Sequence, residues 1–222
     1  MASYTVRVWD LPTRIFHWTL MLCVIGLVVT AYRRGDAMEW HFRLGYAVVS
    51  LLLFRLVWGL LGGRWSRFSS FLYGPRNVIR YLRGQNDPDH LVGHNPMGAA
   101  SVFALLALLL AQVATGLFSD DEVSSSGPLS RLIGPSLVSQ VTYYHKGIGQ
   151  WVIYALVALH LGAILFHLFV KKDNLIQPMI HGDKVLGRFA QPSRDDAASR
   201  SMALVIFACC AGLVAWVVKL AG

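Results

Sequence analysis

The chain has 222 residues, of which 55% are hydrophobic and 14% charged, with a formal net charge of +8 and a mean hydropathy of +0.50. Soluble domains normally carry about 25% charged residues, so an ordinary soluble enzyme is excluded and nucleic-acid binding is a poor reading of the positive charge. Cys23, Cys209 and Cys210 all fall inside apolar runs, which excludes a disulfide scaffold or a zinc-ribbon spacing and predicts core packing for all three.

Five runs come near the roughly 20 residues that cross a bilayer: 15–32, 44–63, 97–118, 151–170 and 202–218. The predicted fold is all-α, a polytopic membrane protein with a bundle of four helices and a fifth, C-terminal transmembrane helix. The first run keeps His17 and Trp18 in its opening turn, and no small-residue cleavage pattern follows closely, so it is expected to stay as a span. Between the second and third spans, RWSRFSSFLYGPRNVIRYLRG (64–84) alternates arginine with apolar residues and is broken by Gly74 and Pro75. It suits a helix at headgroup level, or equally a basic loop that anchors the topology. Between the third and fourth spans, the loop 119–144 carries Asp120, Asp121 and Glu122 and offers a docking surface.

Five spans place alternate loops on opposite faces. One face receives Arg7, Arg14, Arg64, Arg67, Arg76, Arg80, Arg83, Lys171, Lys172, Lys184, Arg188, Arg194 and Arg200, which is 13 of the 20 Lys and Arg. The positive-inside rule makes that face cytoplasmic. The expected location is the bacterial inner membrane, with the N-terminus cytoplasmic and the C-terminus periplasmic.

The fourth span begins HKGIGQWVIYALVALHLGAILFH (145–167), with three histidines in a stretch apolar enough for lipid. An unpaired polar group there costs several kcal/mol or so, so these rings need partners. His145 lies near the outer end, and His160, 15 residues on, is about 22 Å deeper at the α-helical rise. His17 lies near the inner end of the first span and His41 just before the second, near the outer end. The depths therefore pair His41 with His145 and His17 with His160. Imidazoles from facing helices at one depth can clamp the iron of a b-type haem. Fifteen residues advance a helix by about 60° beyond four turns, so one helix can serve two stacked haems. No Cys-x-x-Cys-His occurs, which excludes covalently attached haem of the c type.

Gly45 and Gly149 each follow an outer histidine by four residues, and either clear room for a porphyrin face or serve helix packing. Arg55, inside LLLFRLVWG, sits at the depth of the inner pair. A haem propionate is its natural counter-ion there, and snorkelling to the headgroups is the alternative. His167 could replace His160, yet its greater depth matches His17 less well. His90, His94 and His181 fall in loops, where solvated or capping roles are expected.

With the histidines placed, the chain resembles the bacterial cytochrome b561 and nickel-iron hydrogenase cytochrome b family. The resemblance rests on VRVWDLPTRIFHW (6–18), HFRLGYAVVSLLLFRLVWGLLG (41–62), GHNPMGA (93–99), the stretch 145–167 and NLIQPMIHGDK (174–184). It implies a domain over residues 1–188 binding two b-type haems, iron-protoporphyrin IX, with 189–222 as a linker and extra transmembrane helix. His17, His41, His145 and His160 take the ligand roles. It further implies quinone as electron donor or acceptor and a periplasmic cytochrome c or hydrogenase subunit as partner, and leaves a homodimer open. In the cytochrome b561 branch the pair on span four is one residue closer together. The extra residue here turns one ligand by about 100° and focuses interest on the helix around Gly147. A second function class, superoxide:quinone oxidation-reduction without a protein partner, would use Arg33, Arg34, Arg43 and Lys146 as a focusing field. A metal or proton transporter would carry carboxylates within its spans, and these runs contain none.

Overall fold

The computed structural model describes residues 3–33, 35–85, 90, 92–120 and 125–221. Five helices are long and apolar enough to cross a membrane: α1 (Leu11–Arg33), α2 (Ala37–Leu61), α4 (Pro96–Phe118), the stretch Pro135–Phe169 that ends in α6 (Gln150–Phe169), and α8 (Ala197–Ala221). Their surfaces are those of helices bathed in lipid: Leu60, Leu159 and Leu204 are each more than two-thirds exposed, an arrangement that water would penalise and hydrocarbon does not.

Two boundaries move outward from the sequence expectation. Helix α2 begins at Ala37, which places His41 inside the helix. Glu39, Trp40, His41 and Arg43 lower the hydropathy of its first turns but are compatible with helix, and hydropathy alone stops short of them. Likewise α5 (Pro135–Tyr143) leads through a π turn (Tyr144–Gly149) directly into α6, so His145 also lies within continuous helix.

The chain forms two compact units, one from Met1–Phe16, Arg55–Ala104 and Ala158–Ile206, the other from His17–Phe54, Leu105–Val157 and Phe207–Gly222. In the first unit, β1 (Tyr4–Arg7) pairs antiparallel with β2 (Asp183–Leu186), in the register Tyr4 to Leu186 and Arg7 to Asp183. Beside this ribbon Val8, Trp9, Trp65 and Val92 form a small core, with Met179, Leu186 and Ala190 packed against it. Asp10 organises the unit. Fully buried, its carboxylate accepts from the Thr13 N–H (2.8 Å), capping α1, and from the Gly63 N–H (3.0 Å), Ser66 Oγ (2.7 Å) and Trp58 Nε1 (3.2 Å). A buried carboxylate is tolerable only with such a full set of donors.

The segment after β2 is stitched to the same unit. The Ser193 N–H donates to the Arg7 carbonyl, and the Arg7 guanidinium bridges Asp183 and Asp195 at 2.6 Å each. Burial by itself raises the Asp195 pKa, but hydrogen bonds from Arg200, the Leu11 N–H and Arg7 outweigh it and hold the carboxyl below its ordinary value.

The stretch 64–84 forms two short 3₁₀ turns (Arg64–Ser66 and Phe68–Ser70) and the helix α3 (Pro75–Leu82). Helix α3 has no buried residue, and Ile79 and Leu82 are exposed among Arg76, Arg80 and Arg83. The core role expected for the cysteines holds for Cys23 alone: Cys209 is exposed on α8 and Cys210 half-buried. A thiol is small and apolar enough that lipid serves it as well as a core.

Candidate functional site

His41 and His145 come together in the second unit. Their ring centroids are 6.3 Å apart and their planes stand at 90°. The Nδ1 of His41 donates to the Leu27 carbonyl (3.1 Å), with Thr30 Oγ1 at 3.2 Å. The Nδ1 of His145 donates to the Gln112 carbonyl (2.9 Å). A carbonyl only accepts, so each Nδ1 carries the proton and each Nε2 keeps its lone pair. That is the tautomer, and the outer hydrogen bond, of a histidine that ligates metal through Nε2.

Both rings line a cavity of about 810 Å³ walled by Val24, Val28, Phe42, Val49 and Leu109. This lies within the range of cofactor sites. With metal–imidazole bonds of about 2 Å, two rings sharing one metal have centres roughly 6 Å apart, the spacing found. Among the described residues no three His, Cys, Asp or Glu side chains gather as a metal site. A metal held here by two imidazoles must bring its remaining ligands with it, as iron does in a porphyrin. The residues therefore fit a haem.

His145 lies in the π turn Tyr144–Gly149, a feature that interrupts α-helices most often at functional sites. Of the two glycines, Gly45 lines the cavity with open space where a side chain would stand. Gly149 does not face the cavity and instead admits the Gln112 amide and the Tyr144 ring. Gly116 is a contact that the sequence reading missed: a Cβ there would meet His145 Cε1 at 2.8 Å. Gln112 was missed as well, although a carboxamide within LLALLLAQVATG is a polar intrusion that composition exposes.

The other expected residues divide between the units. His17, in the second, stands edge-on to Trp18 with centroids 5.1 Å apart. His160, in the first, is half-buried on α6. Arg55, in the first, is buried with its Cζ 4.6 Å from the centre of the Phe68 ring, and its Nη1 has no hydrogen-bond partner among the described residues. His167 points its Nδ1 to within 3.8 Å of Asp173, which also pairs with Lys184. His94 is not a solvated loop residue: its ring packs between Trp9 and Phe71, with centroids 4.7 and 4.4 Å away, because the loop folds back over the small core. His90 likewise lies against Tyr73. Lys146 lines the cavity, whereas Arg43 is engaged by Glu39 and Trp40. Arg34, Asp121 and Glu122 lie outside the described residues.

Fold and site together describe a multi-pass helical membrane protein with a paired-histidine cavity. Residues 8–182 match the profile of the prokaryotic cytochrome b561 family, and the chain belongs to that family. It is similar to curated proteins with the description "Probable Ni/Fe-hydrogenase B-type cytochrome subunit". One, from Bradyrhizobium diazoefficiens, is 25% identical over 217 residues, covering 81% of this chain and 86% of the relative. Another, from Escherichia coli K12 and described as belonging to hydrogenase 1, is 26% identical over 211 residues, covering 79% and 88%. A third, from Cupriavidus necator, is 26% identical over 207 residues, covering 79% and 85%. No solved structure matches the chain significantly. The protein is a b-type cytochrome of the membrane, active in electron transfer and binding haem b.

Proposed function

We propose that the chain holds two b-type haems and conducts electrons across the inner membrane between quinone and a periplasmic redox partner. The single observation that carries this is the His41 and His145 pair, spaced at 6.3 Å with both Nδ1 atoms tied to backbone carbonyls. These two residues would hold the outer haem, and His17 and His160 the inner one. Bound b-type haem supplies reversible one-electron chemistry at its iron.

The protein's own residues define how that chemistry is used. With two imidazoles holding each haem, no ligand position would be left for oxygen, which favours electron transfer over oxygen activation. The carbonyls of Leu27 and Gln112 raise the basicity of the outer ligands and fix their orientation. Val24, Val28, Phe42, Val49 and Leu109 give the cavity an apolar wall, and Gln112, Asp120 and Lys146 line it as well. Arg55 would give the inner haem a nearby positive charge, a reading supported by its buried, unmatched Nη1. The names of the relatives favour a hydrogenase as the partner, with cytochrome c as the other candidate. The basic loops would face the cytoplasm by charge asymmetry.

The test is a reduced-minus-oxidised spectrum of the purified chain with an iron count. The expected result is a b-type absorbance and two iron atoms per polypeptide, with reduction by added quinol. A colourless chain overturns the haem sites, and one iron per chain overturns the inner site. Reduction by superoxide with no protein partner present would favour the scavenger function instead.

A further inference from the structure

We infer that Gln112 is a positioning residue for the outer haem ligand, clamping His145 at both its ring and its backbone. The inference rests on the reading of His145 as a ligand. Gln112 is the one residue that meets His145 twice in the hydrogen bonds described: its carbonyl accepts from His145 Nδ1 (2.9 Å), and its side-chain Nε2 donates to the His145 carbonyl (2.9 Å). Donor and acceptor thus run in opposite directions between the same two residues, which fixes the ring relative to the peptide that carries it.

The clamp falls where the helix most needs one. His145 lies in the π turn Tyr144–Gly149, where the backbone leaves the α-helical path and the direction of a side chain is no longer set by α-helical phase alone. Gly149 completes the arrangement, because a Cβ on it would overlap Gln112 Oε1. That oxygen is buried and has no hydrogen-bond partner among the described residues. Helix α4 is otherwise largely apolar, and an amide held in it with an unused acceptor is costly. The Nε2 donation to His145 is the interaction that offsets this cost, and the glycine keeps room for it.

The consequence is specific to one haem. A ring free to rotate about its iron bond changes the ligand field of that iron and not of the other. The experiment compares wild type with Gln112→Leu, which keeps the volume and removes the donor, and with Gly149→Ala, which keeps the amide but pushes it aside. Electron paramagnetic resonance and a redox titration report the two haems separately, and amide hydrogen exchange reports the π turn without needing haem. Both variants are expected to shift one of the two low-spin signals and one midpoint potential. Exchange across Tyr144–Gly149 is expected to quicken up to about tenfold, the loss of one hydrogen bond. Unchanged signals together with unchanged exchange overturn the clamp. A variant that binds no outer haem but shows faster exchange supports it. A wild type without haem overturns the ligand reading, and exchange then decides the clamp by itself.

Discussion

Gly116 on α4 and His145 in the π turn touch so closely that a methyl group at residue 116 would sit 2.8 Å from the Cε1 of the imidazole. The ring can occupy its place only because this helix presents bare backbone to it. Gly116→Ala should push the imidazole out of line, at an overpacking cost of about 1–3 kcal/mol. On the proposed two-haem arrangement, the haem held by His41 and His145 should be lost or loosened: iron per chain should fall from two towards one and the b-type band drop by about half. Full haem content in the variant would show that His145 is not a ligand.

Arg55 should act on potential more than on assembly. A cation near a haem favours the reduced state, which carries one charge fewer, so Arg55→Gln should lower one midpoint potential. A drop on the order of 60 mV corresponds to a tenfold change in a one-electron equilibrium. Redox titration checks this, with the haem proposed at His41 and His145 as internal control. Equal movement of both potentials would argue for a general structural effect.

Asp10 should matter for folding. Asp10→Ala leaves the Thr13 and Gly63 N–H groups, Ser66 Oγ and Trp58 Nε1 without their acceptor. Each buried group left unsatisfied costs about 1–3 kcal/mol. The detergent-solubilised variant should unfold at a clearly lower temperature, and Asp10→Asn, which keeps one oxygen, should lose less.

Acid should loosen the segment that joins β2 to α8. Asp195 has its pKa held below the ordinary carboxylate value, so its stabilising contribution is complete above about pH 4 and is lost as pH falls through the lower folded value. Thermal stability should be insensitive to this group between about pH 5 and 7 and decline below about 4. The decline should be shallower in Asp195→Asn, measured by thermal unfolding across pH.

Much of this was legible beforehand because lipid imposes a simple rule. A chain in hydrocarbon must satisfy its backbone within helices, so length and hydropathy alone locate the five spans, and any histidine or arginine inside them is marked as costly. The depth of His41 and His145 follows from counting residues at a fixed rise. What counting assumes is an unbroken α-helix, and that assumption fails at Tyr144–Gly149.

The sequence by itself determined the class of the protein, its spans and that His41 and His145 stand at the same level, since hydrophobicity and helical rise are local properties. Only the tertiary structure decided that Nδ1 of each outer histidine is spent on a carbonyl from another helix, that Gly149 serves Gln112 and not the cavity, and that His94 is packed between aromatic rings. Those facts depend on which faces of separate helices meet, and rotation about a helix axis is fixed by packing between elements rather than by the order of residues along one of them.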